Sequence, residues 1–212
     1  MQTGRACAAN LTIMICIVIL AAGQARRMRG GDKLLEDVDG APCLSVLTRR
    51  ALETGFALRV VVPDVNHPRA KAAEGAVLVP SPEAKRGMAH SLRAGLAALP
   101  ENTKAVIILP GDMPEITAED MMSVAQAHQT TGKGIIQMGT EDGNPGHPVL
   151  ITSQYIDEFQ HLIGDTGARE IIKAHRDDWH LLKRGGQRAR RDLDTPEDWA
   201  AWRLKQSSQA RT

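Results

Sequence analysis

Two kinds of apolar pattern alternate along the chain, and glycine or proline separates them. The first kind is short and continuous. Ile17 to Leu20, Leu58 to Val62 (ended by Pro63), Ala76 to Val79 (ended by Pro80), Ala105 to Leu109, Gly134 to Met138 and Val149 to Thr152 read as strands, the runs richest in Ile and Val being buried on both faces. In the second kind, apolar residues recur at helical spacing. Leu44, Leu47 and Ala51 mark a helix between Pro42 and Gly55, while Leu92, Leu96 and Leu99 mark one opened by Gly87 and closed by Pro100. Ala118 to Gln129, a segment from Asp165 to about His175, and one starting after Thr195 are further helices; the polar stretch between the second and third strands is helical or irregular. Strands and helices in alternation predict an α/β fold whose sheet is covered on both faces.

Composition narrows this further. A chain of 212 residues, 42% hydrophobic, can bury a substantial core, yet it has only three Trp, one Tyr and two Phe, so that core is aliphatic. A formal net charge of +1 argues against a long nucleic acid or an anionic membrane as the main partner; a small ligand fits better. Cys7, Cys16 and Cys43 are odd in number, scattered and without C-x-x-C, which suggests neither a disulfide framework nor a zinc site, and fits a reducing compartment such as the cytoplasm. Cys16 and Cys43 read as packing residues. Arg5 followed by the run Leu11 to Ala22 has the outline of a short signal peptide, but cleavage there would remove the first strand, and the run is too short to span a bilayer. The expectation is one domain over 14–206, with 1–13 an extension that is disordered or belongs to a misassigned start.

Candidate chemistry gathers where strands end. After Leu20, the chain reads A-A-G-Q-A-R-R-M-R-G-G-D-K: Gly23 allows a close backbone approach, and Arg26, Arg27, Arg29 and Lys33 follow. Backbone N–H groups and cations so placed can cradle a polyphosphate, although such a loop, taken alone, is more often simply solvated. Gly87 and Ser91 stand at a helix mouth, where free N–H groups favour an anion; an ordinary loop-to-helix junction explains them equally well. Asp112 is held in Pro110-Gly111-Asp112-Met113-Pro114 at the end of the clearest strand, a place suited either to Mg²⁺ or to capping a turn. His147 is fixed between Gly146 and Pro148. Asp165 reads most simply as the cap of the helix it precedes. Thr195 with Asp198 makes a capping box with Pro196 in the first helical position, which explains those residues and leaves Asp194 unassigned. Lys183, Arg184, Arg188, Arg190 and Arg191 form a late basic cluster, a solvated face by default.

The strings as wholes say more. L-A-A-G-x-x-x-R-M with G-x-D-K-L, then G-M-x-x-S-L-R-x-G-L, G-D-M-P, P-G-H-P-V, G-D-x-G-A-R and D-x-D-T-P-E-D resemble, in this order over nearly the whole chain, the molybdenum cofactor cytidylyltransferases and their guanylyl relatives. The resemblance implies a Rossmann-like three-layer α/β sandwich with a mostly parallel mixed sheet, of the nucleotide-diphospho-sugar transferase type. It also implies that CMP passes from CTP to the terminal phosphate of molybdopterin, releasing pyrophosphate.

Carried over residue by residue, the resemblance implies nucleotide binding by Leu20, Ala21, Ala22, Gly23, Arg27, Lys33, Gly87 and Ser91. Asp112 and Asp194 are implied ligands of Mg²⁺, and Gly146, His147, Asp165 and Arg169 implied contacts of the acceptor, with Arg27, Lys33 and Asp112 carrying the catalysis. The chain departs from the pattern at Ala25, where many members have Ser, and at Ser81-Pro82, where relatives often have Asn-Pro. The second change touches the side of the cleft that reads the base. Transfer from GTP or another NTP to a different phosphorylated acceptor therefore stays open. So does a non-catalytic carrier that hands the cofactor to a molybdoenzyme or its maturation factor. A dinucleotide-binding oxidoreductase is a poorer rival, since Gly23 begins no G-x-G-x-x-G.

Overall fold

The computed structural model describes residues 15–209. Cys7, the expected boundary at Met14 and the expected 1–13 extension lie outside the described residues. Seven strands form one sheet: β1 (Ile15–Leu20), β4 (Ala57–Val62), β5 (Val77–Pro80), β6 (Ala105–Pro110), β7 (Ile135–Gly139), β8 (Pro145–Thr152) and β9 (Trp179–Lys183). Their order across the sheet is β5-β4-β1-β6-β8-β7-β9. All neighbours run parallel except β8, which is antiparallel to both β6 and β7, so the sheet is mixed and mostly parallel as expected.

The β-branched runs explain the layering. Along β1, Ile15, Ile17 and Ile19 face one core and Val18 the other, because successive side chains of a strand point to opposite faces. The first core is closed by α1 (Cys43–Glu53), α2 (Pro68–Ala72) and α4 (Ala118–Thr131), through Leu44, Leu47, Ala72, Met121 and Val124. On the opposite face, α3 (Met88–Ala97), the 3₁₀ segment Ser153–His161 and α5 (Arg169–Ala174) supply Leu92, Leu96, Phe159, Ile171 and Ile172. A third, smaller core joins Met28, Val38, Cys43, Val46 and Leu193 to Trp199 and Trp202 of α6 (Pro196–Gln209). Among the described residues, no helix is long and apolar enough to cross a membrane.

Some elements differ from the sequence reading. The strand expected at Val149 begins at Pro145, so Gly146 and His147 belong to β8 and not to a loop. β9 was not foreseen. Its five residues are only half-buried or exposed, and such an edge strand gives a weak apolar signal. The turn at Asp39-Gly40 joins a short hairpin, β2 (Asp37–Val38) and β3 (Ala41–Pro42). Both turn residues have positive φ, 53° and 85°, the pattern that Asp-Gly favours.

The chain winds outward from β1 through β4 to β5, then crosses back to lay β6 on the other side of β1. In open α/β sheets such a reversal opens a crevice beyond the carboxyl ends of the two strands, where ligands collect. Here those ends are Leu20 and Pro110, paired in register. The glycine loop follows one and the acidic turn follows the other.

Candidate functional site

A cleft of about 580 Å³ occupies that crevice. Leu20, Gly23, Gln24, Arg26, Arg27 and Lys33 line one wall; Ala84 to Met88 with Ser91 line another; Gly111, Asp112, Asp165 and Asp194 complete it. The N–H groups of Ala22, Gly23, Gln24 and Ala25 find no acceptor among the described residues. Backbone donors left unpaired beside a cleft are suited to an anion.

At the floor, the Lys33 ammonium lies between two carboxylates. It donates to Asp112 Oδ2 and, at 2.6 Å, to Asp194 Oδ1. Arg27 meets the other oxygen of Asp194 at 2.6 Å. Burial works against the charge on Lys33, but Asp112 first and then Asp194 outweigh it and hold its pKa above the ordinary value. Lys33 therefore stays charged. Oδ1 of Asp112 is buried and has no partner. A buried carboxylate oxygen left without a donor suits a hard cation that takes oxygen ligands, and Asp194 stands beside it.

The turn carrying Asp112 is fixed from several directions. Gly111 N–H donates to Leu20 O at 3.0 Å, Leu193 N–H donates to Asp112 O at 3.2 Å, and Arg50 donates to Pro114 O and Ile116 O at 2.5 and 3.0 Å. A third acid, Asp192, lies close by. Burial raises its pKa, and the charges of Asp112 and Asp194 raise it further. Sequence reasoning passed over Asp192, although the D-L-D spacing put it two residues from Asp194.

The helix mouth of α3 differs from expectation. Gly87 and Ser91 do line the cleft, and the Ser91 hydroxyl has no partner among the described residues. The N–H groups at this mouth, however, are taken: Met88 donates to Asp165 Oδ1 at 3.3 Å, Ala89 to Gly164 O at 3.0 Å and His90 to Gly87 O at 3.2 Å. Asp165 thus caps α3, and not the helix that follows it in sequence, whose cap position is Ala168 with no side-chain bond. Gly87, at φ 124°, lies so close to the Gly164 backbone that a Cβ there would overlap it.

The remaining sequence candidates are spread out. Ala21 and Ala22 are buried behind the loop, where only their backbone can act. Gly146 packs against the backbone of Ala189 with no room for a Cβ, Arg169 is exposed at the start of α5, and neither lines the cleft. His147 also stands outside the lining, yet near enough to feel the charge of Asp112. Its Nδ1 is sealed from solvent and unpartnered, and burial pushes its pKa below the ordinary value against the pulls of the Ile108 backbone and Asp112. The late basic cluster is largely spent on internal pairs: Arg184 with Glu119, Arg188 with Asp120 and Arg191 with Glu115. Cys16 and Cys43 are fully buried, and burial raises their thiols to about 11 and 12, so neither is a nucleophile.

Comparison with known proteins places this geometry. GlmU of Anaeromyxobacter sp. (strain K), a bifunctional protein, is 35% identical over 125 residues, which is 54% of this chain and 25% of that protein. The chain thus spans about a quarter of the length of that relative. Among solved structures, Rv0371c of Mycobacterium tuberculosis H37Rv superposes with a TM-score of 0.77 at 24% identity, covering 89% of this chain and 96% of the other. The same protein in complex with manganese gives 0.73 at 23%, covering 89% and 97%. CMP:2-keto-3-deoxy-manno-octonic acid synthetase complexed with CTP gives 0.73 at 14% (92% and 99% covered). Molybdopterin-guanine dinucleotide biosynthesis protein A of Archaeoglobus fulgidus gives 0.67 at 14% (91% and 99%). At these identities the structural matches establish the fold alone, an α/β sandwich around a mostly parallel mixed sheet. The family description "MobA-like NTP transferase domain" matches residues 17–179, from the first strand to the start of the last. The chain belongs to the MobA-like NTP transferase family.

Proposed function

We propose that the protein is a nucleotidyltransferase that moves CMP from CTP to the terminal phosphate of molybdopterin, in the cytoplasm. The observation that carries the reading is the convergence of Arg27, Lys33, Asp112 and Asp194 beneath a loop of unpartnered N–H groups. Cations and amide donors on one side with two carboxylates on the other suit a metal-bound triphosphate better than any neutral ligand. The family membership supports nucleotidyl transfer. The neighbour that holds CTP supports the base, and the neighbour that builds a molybdopterin dinucleotide supports the acceptor.

In this reading, an oxygen of the acceptor phosphate attacks the α-phosphorus in line, a P–O bond to the acceptor forms, and the P–O bond to pyrophosphate breaks. The amides of Ala22 to Ala25 hold the β- and γ-phosphates, while Arg27 and Lys33 neutralise charge gathering on the leaving pyrophosphate. No side chain acts as nucleophile, so the rate comes from alignment and charge stabilisation. Asp112 and Asp194 would hold Mg²⁺, which when bound supplies Lewis-acid stabilisation of the phosphate oxygens. Ser91, at the α3 mouth, faces the nucleotide. His147, Asp165 and Arg169 belong on the acceptor side, with Gly146 contributing only the shape of the β8 start.

The experiment incubates purified protein and MgCl₂ with each of the four NTPs plus molybdopterin and follows pyrophosphate. Release with CTP alone is the expected result. Release with GTP instead would move the assignment to a guanylyltransferase, read through the Ala84–Met88 wall. Binding of molybdopterin without release from any NTP would leave a carrier.

A further inference from the structure

The glycine loop has a back as well as a front, and the back is built around one side chain that the transfer chemistry does not use. Arg69, in α2, is 3% exposed. Its Nε and one terminal nitrogen donate to the two oxygens of Asp32, at 2.7 and 2.8 Å, in a parallel fork. The other terminal nitrogen donates to Ala21 O and to Gly23 O, both at 2.7 Å. The guanidinium thus has four of its five donors engaged, and all four bonds go to the two ends of the same loop.

Peptide geometry gives these bonds a consequence at the front. In a trans peptide the carbonyl of one residue and the N–H of the next point in opposite directions. Drawing the Ala21 and Gly23 carbonyls back onto Arg69 therefore turns the N–H groups of Ala22 and Gln24 away from it. Those are two of the four free donors above the cleft. At the other end of the loop, Asp32 immediately precedes Lys33 and also accepts from Leu34 N–H at 3.0 Å. Holding Asp32 fixes the point from which the Lys33 side chain sets out toward Asp112 and Asp194.

We infer that Arg69, with Asp32, is a positioning pair that aims the loop's amides and Lys33 at the phosphates of the nucleotide; this rests on the nucleotide reading of the cleft. The pair is internally neutral. Its contribution is direction, not field. Lysine at position 69 would keep the charge but not the fork or the two-carbonyl grip, so charge and geometry can be separated.

The test measures binding of each Mg·NTP and of Mg·tripolyphosphate, a probe with no base, to wild type, Arg69→Lys, Arg69→Ala and Asp32→Asn by calorimetry. Thermal unfolding of each variant is measured in parallel. The expected result is that Arg69→Lys and Asp32→Asn weaken NTP and tripolyphosphate by the same factor, about tenfold to hundredfold, as displaced but still charged phosphate contacts should. Added guanidinium should restore part of the affinity of Arg69→Ala by refilling the space behind the loop. Tripolyphosphate binding within about twofold of wild type by folded Arg69→Lys and Asp32→Asn would overturn the inference. So would a loss confined to the base-bearing ligands, or a folded Arg69→Ala that guanidinium does not restore. Failure of wild type to bind any NTP would instead bring down the nucleotide reading, and this inference with it.

Discussion

A single carboxylate oxygen frames the chemistry at the residue scale. Oδ1 of Asp112 is buried and unpartnered while Oδ2 holds Lys33, so the side chain both anchors the lysine and offers a free ligand atom. Asp112→Asn preserves size and removes the charge. Turnover should fall by about a hundredfold or more, the scale seen when a preorganised charge is removed from a transition state. NTP binding should change far less, because the loop amides and Arg27 are untouched. A loss of calorimetric affinity with an unchanged single-turnover rate at saturating NTP would place Asp112 in ground-state binding only. His147 gives a second prediction. Burial lowers its folded pKa below 6.5, so as pH falls past that value the unfolded chain takes up the proton first. Stability then declines toward acid, and His147→Gln should flatten that decline between pH 7.5 and 5 in urea titrations. Parallel slopes in the two proteins would mean that the ring takes up its proton over the same pH range in the folded and unfolded chains, so that burial does not depress it.

Helices meet the sheet with little slack, and one glycine decides how closely. A Cβ on Gly95 of α3 would come within 2.6 Å of Val18 Cγ1 and 2.9 Å of Val61 Cγ2, both on stiff β-branched side chains of the adjacent strands β1 and β4. Alanine is the better helix former by about 1 kcal/mol, yet overpacking costs about 1–3 kcal/mol, so Gly95→Ala should be destabilised on balance. A urea midpoint at or above that of wild type would refute this. The same element shows what the sequence could and could not reveal. Leu92 and Leu96 declared the helix by their spacing, and its glycine mouth and proline stop were legible. The acid that caps it was not, since Asp165 comes from a loop 77 residues away and local rules assigned it to the nearer helix. By contrast, the box of Thr117 and Asp120 at the start of α4 was readable from T-x-x-D, and went unread. Asp120 is fully buried and paired with the half-buried Arg188 at 2.9 Å, so part of an apparent surface cluster of arginines is tied down to the interior.

Across the whole molecule, six of the seven strands of the main sheet announced themselves through short apolar runs, while the order in which they pair, and with it the crevice at β1 and β6, is seen only in the folded chain. What stayed hidden was long-range polar closure. Lys33 and Asp194 are 161 residues apart, and the buried Arg69 sits in a short helix with no distinctive pattern around it. Hydrophobic periodicity reports which face is buried, not which polar atoms meet. The third core is where distant parts are held in step, since Met28 of the basic loop and Leu193 beside Asp194 share a cluster with Trp199. Trp199 is 1% exposed and stacks edge-on with Trp202 at 5.7 Å between ring centres. Trp199→Ala should cost about 3–5 kcal/mol, lowering the unfolding midpoint by on the order of 10 °C in a chain of this size. Because the lost ring supports both the loop and the terminal acid, NTP affinity should drop even well below that midpoint. Leu204→Ala, on the exposed side of the same helix, should change neither quantity. A Trp199→Ala protein that melts early but binds Mg·NTP as wild type does would show that the cleft is set by the sheet alone, with α6 merely covering it.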